Sequence, residues 1–228
     1  MKITRRFICL FLILALLIIS TGVGFAKKDT ETFQVLSTDG RTVNFSINSS
    51  LKGQISTEEL TSIADSNNDT DNITILNVGY AFPTTKPIKS TDSETLSTLL
   101  TLISPPIKSY TGYDILESDR FMASCAKGEK KIVSKTISAK LSPSVSGTIL
   151  DFTLGLNGEI SYSITEGTEL TGPSESSPYN SREYRCKFYQ NKGKWTQLII
   201  INGIDLSQSG TFTEPSKYIS YSIDKIVH

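Results

Sequence analysis

The sequence predicts a mainly β protein: an antiparallel sheet or sandwich forms the C-terminal domain, after a small α+β N-terminal segment and a cleaved signal peptide. Three observations predict this fold class. Apolar and polar residues alternate after Ile107, helix-starting signals are concentrated before it, and residues 1–26 resemble an export signal. The chain has 228 residues, enough for one domain of ordinary size or two small ones.

Residues 1–26 have the order of features of a secretory signal peptide. Three basic residues precede the apolar run 7–19, and the small residues Gly24 and Ala26 stand at positions −3 and −1 before Lys27. We therefore expect cleavage between Ala26 and Lys27 and secretion of the remaining chain. The alternative is an uncleaved N-terminal anchor, because the apolar run and the residues after it approach the ~20 residues that span a bilayer.

The charge of the chain limits its partners. Lys and Arg number 23, Asp and Glu also number 23, and cleavage removes three basic residues and no acidic ones, so the mature net charge is −3. A chain without a basic excess is a poor ligand for nucleic acid or anionic lipid. Its richness in Asn, Ser, Ile and Lys is typical of low-GC Gram-positive bacteria. We expect an unknown extracellular or cell-surface partner, and no stable membrane anchor after signal cleavage.

Histidine chemistry is nearly absent from the chain. The single histidine, His228, is the last residue. This excludes zinc held by several histidines and leaves no ordered imidazole for a Ser-His-Asp or Cys-His mechanism. We therefore predict no catalytic, cofactor-binding or metal-ligating residues, and we interpret the protein as non-enzymatic.

The N-terminal segment, residues 27–106, combines strand and helix signals. Asp39-Gly40 is typical of a hairpin turn, and capping boxes at 56–59 and 91–94 precede apolar residues at helical spacing. In chain order the predicted elements are a hairpin of 33–36 and 42–47, a helix from about Thr57 to Asp65, a buried strand over 73–80, and a helix that carries Leu96 to Ile103.

In the C-terminal domain, residues 107–228, the sequence pattern predicts half-buried strands separated by polar turns. A Pro pair at 105–106 marks its start, and residues 191–194 have the composition of a hairpin turn. The predicted strands are 120–126, 131–141, 160–164, 183–189, 195–201 and 218–226.

Cys125 and Cys186 are the two cysteines that remain after export. Each lies on the apolar face of a predicted strand, and paired cysteines are common in exported domains. We expect a disulfide between them, which closes a loop of about 60 residues and contributes about 4 kcal/mol in chain-entropy terms. The alternative is two free, buried thiols that pack as small apolar groups.

Residues 65–71 carry oxygen-bearing side chains at alternate positions, as the first half of a calcium loop does. The EF-hand pattern also needs Gly at its sixth position and Glu at its twelfth, where this sequence has Thr70 and Leu76. We therefore interpret the loop as a solvated turn after a helix.

Two patterns keep a His-independent hydrolase open as an alternative function. Ser124 and Lys127 match S-x-x-K, in which a lysine deprotonates a serine nucleophile, although the companion motifs are missing. Carboxylate pairs formed by Asp114 and Glu117, or by Glu117 and Asp119, have the residue types of a glycosidase, whose chemistry depends on their separation in space.

Residues 131–170 suggest a second alternative, a pore-forming or membrane-active β-hairpin. Alternating strands flank the apolar run 149–156, and each is close to the about 9–11 residues of a membrane-crossing strand. Lys135 on an apolar face and Pro143 within the first strand oppose this interpretation. The principal prediction is thus a secreted bacterial protein with a non-enzymatic binding or structural role.

Overall fold

The computed structural model describes residues 29–83 and 101–227, which form a mainly β protein with 58% strand and 7% helix. The β-rich character predicted from the sequence is confirmed, and the main sheet is mixed rather than wholly antiparallel. The predicted cleavage point between Ala26 and Lys27 lies outside the described residues. Within the two described ranges, no helix has both the length and the apolar character that a membrane span requires.

Fourteen strands, one α-helix and one 3-10 turn make up the described chain. In order these are β1 (Thr30–Leu36), β2 (Thr42–Asn48), the 3-10 turn (Ser49–Leu51), α1 (Thr57–Asp65), β3 (Asn72–Tyr80), β4 (Thr101–Ile103), β5 (Ile107–Ala126), β6 (Lys130–Ile132), β7 (Ile137–Leu141), β8 (Ser144–Val145), β9 (Ile160–Ile164), β10 (Glu169–Thr171), β11 (Ser181–Gln197), β12 (Ile199–Ile201), β13 (Ile204–Asp205) and β14 (Gln208–Lys225). The long strands β5, β11 and β14 have 20, 17 and 18 residues.

Seven strands form one sheet in the order β1-β2-β3-β14-β11-β5, with the short β8 paired to β14. Neighbours are antiparallel except β2 and β3, which are parallel and are joined by α1. A parallel pair needs such a crossover because a tight turn cannot return the chain in the same direction. The sheet continues across the sequence boundary at 106–107 through the β3–β14 pairing, and the division into two domains stays a prediction.

The local signals of the N-terminal segment produce the elements they predict. The β1–β2 turn places Gly40 at φ +86°, a conformation that favours glycine, and the Ser37 N–H donates to the Arg41 carbonyl at 2.9 Å. At the start of α1, the Ser56 hydroxyl accepts from the Glu59 N–H at 3.2 Å, and the Glu59 carboxylate accepts from the Ser56 N–H at 2.9 Å. These two reciprocal bonds are the predicted capping box.

Both faces of the sheet are covered, and the alternation along β14 shows how. Ile219, Tyr221 and Ile223 are buried with apolar side chains of α1, β1, β2 and β3. Tyr218 packs on the opposite face, where its ring centre lies 5.3 Å from that of Tyr162 on β9. The period-two pattern of this strand therefore serves two separate hydrophobic clusters.

The second face carries a layer formed by two small sheets, β7–β9 and β6–β10. Their apolar side chains pack on β5 and β11 and enclose Cys186 and Phe188 completely. Tyr184 on β11 shares this face, whereas Lys187 on the same strand reaches α1 on the other face. Lys187 is nevertheless buried, which the alternation pattern did not predict.

The predicted hairpin turn at residues 191–194 is wrong, because β11 runs through it to Gln197. Gly193 is a glycine of close packing rather than of a turn. A Cβ atom at this position would lie 2.6 Å from the Ser109 carbonyl oxygen and would also meet the Phe212 ring. Glycine in the interior of a strand often marks such a close approach.

Two other predicted elements differ from the structure. The strand expected over 131–141 is divided, since Lys130–Ile132 and Ile137–Leu141 belong to different small sheets. Thr101–Ile103, expected at the end of the second helix, forms β4 and pairs with Ile199–Ile201; the preceding residues of that predicted helix lie outside the described chain. Pairing with a neighbouring strand overrides the local helical spacing there.

Replacing Gly193 by Ala should lower the free energy of unfolding by about 1–3 kcal/mol, because the added methyl group overpacks the contact with the Phe212 ring and the β5 backbone. Urea denaturation measures the change. The control is Lys192→Ala, an exposed neighbour on the same strand, which should change stability by no more than about 0.5 kcal/mol. Equal stabilities of the two variants would contradict the packing role of Gly193.

Candidate functional site

A group of buried and partly buried charged side chains lies between α1 and strands β5, β11 and β14; we call it the interior polar cluster. Lys187 on β11 is fully buried, and its Nζ donates to the Ser62 carbonyl at 3.1 Å and to the Ser66 hydroxyl at 2.8 Å. The end of a helix leaves carbonyl groups unpaired and carries partial negative charge, so this cation caps α1. Burial also lowers the pKa of Lys187.

Asp119 on β5 organises a second part of the interior polar cluster. Its Oδ1 accepts from Arg185 Nε at 3.2 Å, and its Oδ2 accepts from the Tyr221 hydroxyl at 2.6 Å. Arg185 also donates to the Glu183 carboxylate at 3.0 Å. Burial, together with the Asp119 charge, raises the pKa of Tyr221, which therefore remains a protonated donor.

Lys217 on β14 joins the sheet to the first turn of α1. Its ammonium pairs with the Glu59 carboxylate and lies 3.4 Å from Asp114 Oδ2 and 5.7 Å from the centre of the Tyr189 ring. Glu59 thus has two roles, as the acidic member of the capping box and as the helix's ionic contact to the sheet. Sequence spacing identified only the first role, because the second depends on a residue 158 positions away.

The interior polar cluster holds α1 on the sheet, and its surroundings do not resemble a catalytic pocket. A shallow groove of about 630 Å³ runs along the outer side of α1 past Thr61 and Asp65, and another of about 420 Å³ lies beside Phe121 and Val227. Both are open to solvent. Ser62 and Ser66, which accept from Lys187 Nζ, also line the larger groove.

Residues 142–159, which we call the strap, lie over the outer half of the long strands. The Trp195 indole N–H donates to the Ser146 carbonyl at 2.9 Å. The Gln197 amide makes two bonds with Leu150, accepting from its N–H at 3.0 Å and donating to its carbonyl at 2.7 Å. Buried side-chain donors and acceptors therefore take the place of continuous strand pairing over much of the strap.

Glu214 on β14 fastens the far end of the strap. This carboxylate is 2% exposed, and it accepts from the Asn157 N–H at 2.9 Å and from the Tyr110 hydroxyl at 2.7 Å. Lys108 Nζ lies 3.5 Å from it and donates to the Gly155 carbonyl at 3.0 Å. Both carboxylate oxygens thus have partners, and we interpret Glu214 as an anchor of the strap.

The end of the β11–β14 pair exposes a group of apolar side chains, which we call the aliphatic tip. Its members are each between 41 and 69% exposed: Leu102, Ile107, Leu198, Ile204 and Leu206. Leu102 is opposite Ile200 in the β4–β12 pair, and Leu198 precedes Ile200 by two residues, so these side chains share one face. Ile204 is opposite Ile201 and therefore belongs to the other face.

Charge is scarce at the aliphatic tip. The connection between β11 and β14 contains one charged residue, Asp205, and residues 101–107 contain none. Lys192 and Lys194 are exposed further back on β11, and both share the face of Leu198 because they lie an even number of residues away. Along this face the strand changes from basic to aliphatic towards its end.

The aliphatic tip is not among the predicted site residues. Residues 195–201 were expected to form a strand, and no turn was predicted between them and the next expected strand at 218–226. The available signal was Asn202-Gly203, a typical hairpin turn, directly after a run of four aliphatic residues. An aliphatic run at a turn is unusual, because turns are normally solvated.

The predicted disulfide between Cys125 and Cys186 is wrong, since both cysteines are free and buried. Cys125 on β5 is opposite Arg182 on β11, whereas Cys186 is opposite Arg120. This offset of four residues corresponds to about 13 Å along a strand. A disulfide requires Cα atoms within about 7 Å of each other, so the pairing register prevents the bond.

The carboxylates of the acidic loop 65–71 bind other groups of the protein itself. Asp65 Oδ1 accepts from the Thr38 N–H at 2.8 Å, and Asp69 lies 3.5 Å from Lys225 Nζ. In the part of the chain that the structure describes, no group of three or more His, Cys, Asp or Glu residues is placed to hold a metal ion. That this loop is a solvated turn rather than a calcium site stays a prediction.

The residues considered for a hydrolase have separate partners. Lys127 Nζ donates to the Ser177 carbonyl at 2.6 Å, while Ser124 lines the smaller groove. Three carboxylates each pair with a different cation: Asp114 with Lys217, Glu117 with Arg120, and Asp119 with Arg185. The described contacts of these residues are those of ion pairs and backbone support rather than of an acid–base couple.

Residues 131–170 do not form two long strands in this structure. β7 and β9 pair over five residues each, and the strap lies between them in the chain. A strand that crosses a bilayer needs about 9–11 residues. The pore-forming alternative therefore requires this region to refold.

Comparison with known proteins gives no relative for this chain: no protein family, no curated protein and no solved structure matches it. His228 lies outside the described residues.

The two cysteines should resist labelling in the native protein and react fully after denaturation without reductant. Burial raises the pKa of Cys186, so its reactive thiolate is scarce at neutral pH. A chromogenic thiol reagent should find two thiols per mature chain in denaturant and almost none before it. Fewer than two thiols in the denatured, unreduced protein would contradict the two free cysteines and support the disulfide.

The stability contributed by Lys187 should increase with alkaline pH. Burial lowers its pKa in the folded protein, so between the folded pKa and the unfolded value of about 10.4 the unfolded chain binds more protons. In that window the free energy of unfolding rises with pH. Urea denaturation at about pH 8 and about pH 10 should show wild type gaining stability relative to Lys187→Met.

Comparison with Lys187→Met removes the contributions of tyrosines that titrate in both proteins. A difference in stability that stays constant, or that moves in favour of the variant as the pH rises, would show that the amine is hydrated rather than desolvated.

Proposed function

We propose that this protein is a non-enzymatic secreted protein that acts by binding an extracellular partner, and that the aliphatic tip is its binding surface. The observation that carries the proposal is the shared exposure of Leu102, Leu198 and Ile204 at the end of the long strands. Exposure of aliphatic side chains to water is unfavourable, and a group of them at one end of a protein commonly marks an interaction site.

Export supports an extracellular role for this surface. Residues 1–26 have the sequence of a signal peptide, and the proposed mature chain begins at Lys27. The mature net charge of −3 and the scarcity of charge at the tip favour recognition through apolar contact rather than through ionic attraction.

The interior polar cluster supports the non-enzymatic assignment. The ionisable side chains of this cluster that could act as an acid or a base already have partners. They bind the backbone of α1 or an opposite charge, as Lys187, Asp119 and Glu59 do. A hydrolase needs an acid or base that can reach a bound substrate. The contacts of these residues fit a structural role instead.

The binding role should reside in the tip and not in exposed apolar residues in general. We expect the mature chain to associate with intact bacterial cells in a sedimentation assay, and Leu102→Asn combined with Ile204→Asn to reduce the bound fraction about tenfold, because burial of two aliphatic side chains is lost. The matched control is Ile132→Asn on β6, at a side chain that is 68% exposed. It should bind as wild type does.

Thermal melting of all three proteins establishes that each is folded. Equal loss of cell association in the control and in the tip variant would exclude the tip as the binding surface. Turnover of any substrate in a broad glycan and peptide hydrolysis screen, abolished by Asp119→Asn in a folded variant, would replace the binding proposal with the hydrolase alternative.

A further inference from the structure

We propose that the partner of the aliphatic tip is a lipid bilayer, into which the tip inserts shallowly without crossing it. This inference rests on the proposed function and specifies its partner. The tip places Leu102 and Leu198 on one face of the small β13-β12-β4 sheet and Ile204 on the other. Exposed aliphatic side chains thus lie on both faces of this projection, although Ile199 on the second face is buried.

The shape of the tip favours a fluid partner. A protein that covered both faces would need a cleft matched to a three-stranded projection, whereas lipid chains surround such a projection without a preformed shape. Aliphatic side chains at the hydrocarbon boundary are the standard means by which peripheral proteins attach to membranes. Leu102 and Ile204 provide such side chains on opposite faces.

The area of the tip is too small for a stable pair of chains. At about 100 Å² for each aliphatic side chain, its five partly exposed members present roughly 300 Å². A typical specific interface buries about 800 Å² on each partner. A second copy of the chain is therefore a poorer occupant than a bilayer.

The backbone of the tip is also prepared for an apolar environment. β12 is paired on both edges, with β4 on one side and with β13 on the other. Hydrogen bonds continue beyond these pairs. The Ser104 N–H donates to the Leu198 carbonyl at 2.9 Å, and the Leu206 N–H donates to the Ile199 carbonyl at 2.8 Å. Unpaired peptide groups are costly in hydrocarbon. The outer edges of β4 and β13 gain no further strand among the described residues, which limits insertion to the interface.

The charges around the tip match the layers of a membrane. Lys194 lies four residues behind Leu198 on the same face, about 13 Å away along the strand. Insertion of a peripheral apolar surface reaches about 5–10 Å, so Lys194 would lie near the lipid phosphates. Asp205 is the one charge in the connection itself, on the face of Leu102, and it restricts the depth of insertion.

The test uses the mature chain and phosphatidylcholine vesicles. We expect wild type to float with the vesicles, and the Leu102→Asn, Ile204→Asn double variant to partition at least about tenfold more weakly. Ile132→Asn is again the control, and it should partition as wild type does. Salt should have little effect, because the attachment is mainly apolar.

A fluorescent reporter tests the location independently of these variants. Cysteine introduced by Ile204→Cys can be labelled with an environment-sensitive dye, since Cys125 and Cys186 are buried. Vesicles should increase and blue-shift the emission of this dye, and should leave the same dye at Ile132→Cys unchanged.

Four results would overturn the inference. These are absence of wild-type flotation, equal flotation of the double variant and the control, a dye at position 204 that is already shielded without vesicles, and release of a trapped dye from the vesicles. If the shielding of the dye at position 204 depends on protein concentration, a second copy of the chain covers the tip. If the shielding is independent of protein concentration, residues 84–100 of the same chain cover it. Release of the trapped dye would indicate a pore. Association with cells that persists without binding to vesicles would leave the proposed function standing with a different partner.

Discussion

The pairing of β14 with β3 on one side and with β11 on the other determines where every other part of this protein lies. The first pairing brings the N-terminal strands and α1 into the sheet that the long C-terminal strands form. Because β14 is central, its alternate side chains must be buried on both faces, with Tyr221 beneath α1 and Tyr218 beneath the β7–β9 layer. Two hydrophobic clusters therefore depend on the register of a single strand.

The same register explains why charges are buried under α1. The last turn of α1 reaches Lys187 on β11, and Asp119 on β5 pairs with Arg185 of the same strand β11. Desolvation of a charge is costly unless partners replace the lost water, and here the helix carbonyls, Arg185 and Tyr221 replace it. The cluster fixes the position of α1 by directional bonds, in contrast to the less specific apolar contacts beside it.

The long strands extend beyond these two clusters, and the proposed binding surface lies there. Over their outer half the strap provides a thin cover, held by Trp195, Gln197 and Glu214. Beyond the strap, β12 still pairs with β4 and β13, but its faces carry exposed aliphatic side chains. The end of the long strands thus presents exposed aliphatic side chains around a strand that is paired on both edges, which fits the proposed binding role.

The sequence by itself determined the features that depend on neighbouring residues: the β-rich character, the β1–β2 turn at Gly40, the capping box that starts α1, and the two-sided alternation of β11. Only the tertiary structure decided which strands are neighbours and in what register, because those contacts join residues far apart in the chain. Gly193 therefore resembled a turn residue until Phe212 was placed against it. Cys125 and Cys186 share a face as the alternation predicted, yet the β5–β11 register separates them by four residues and leaves two free thiols. Face is set by the local period of two, whereas position along the face is set by pairing between distant strands.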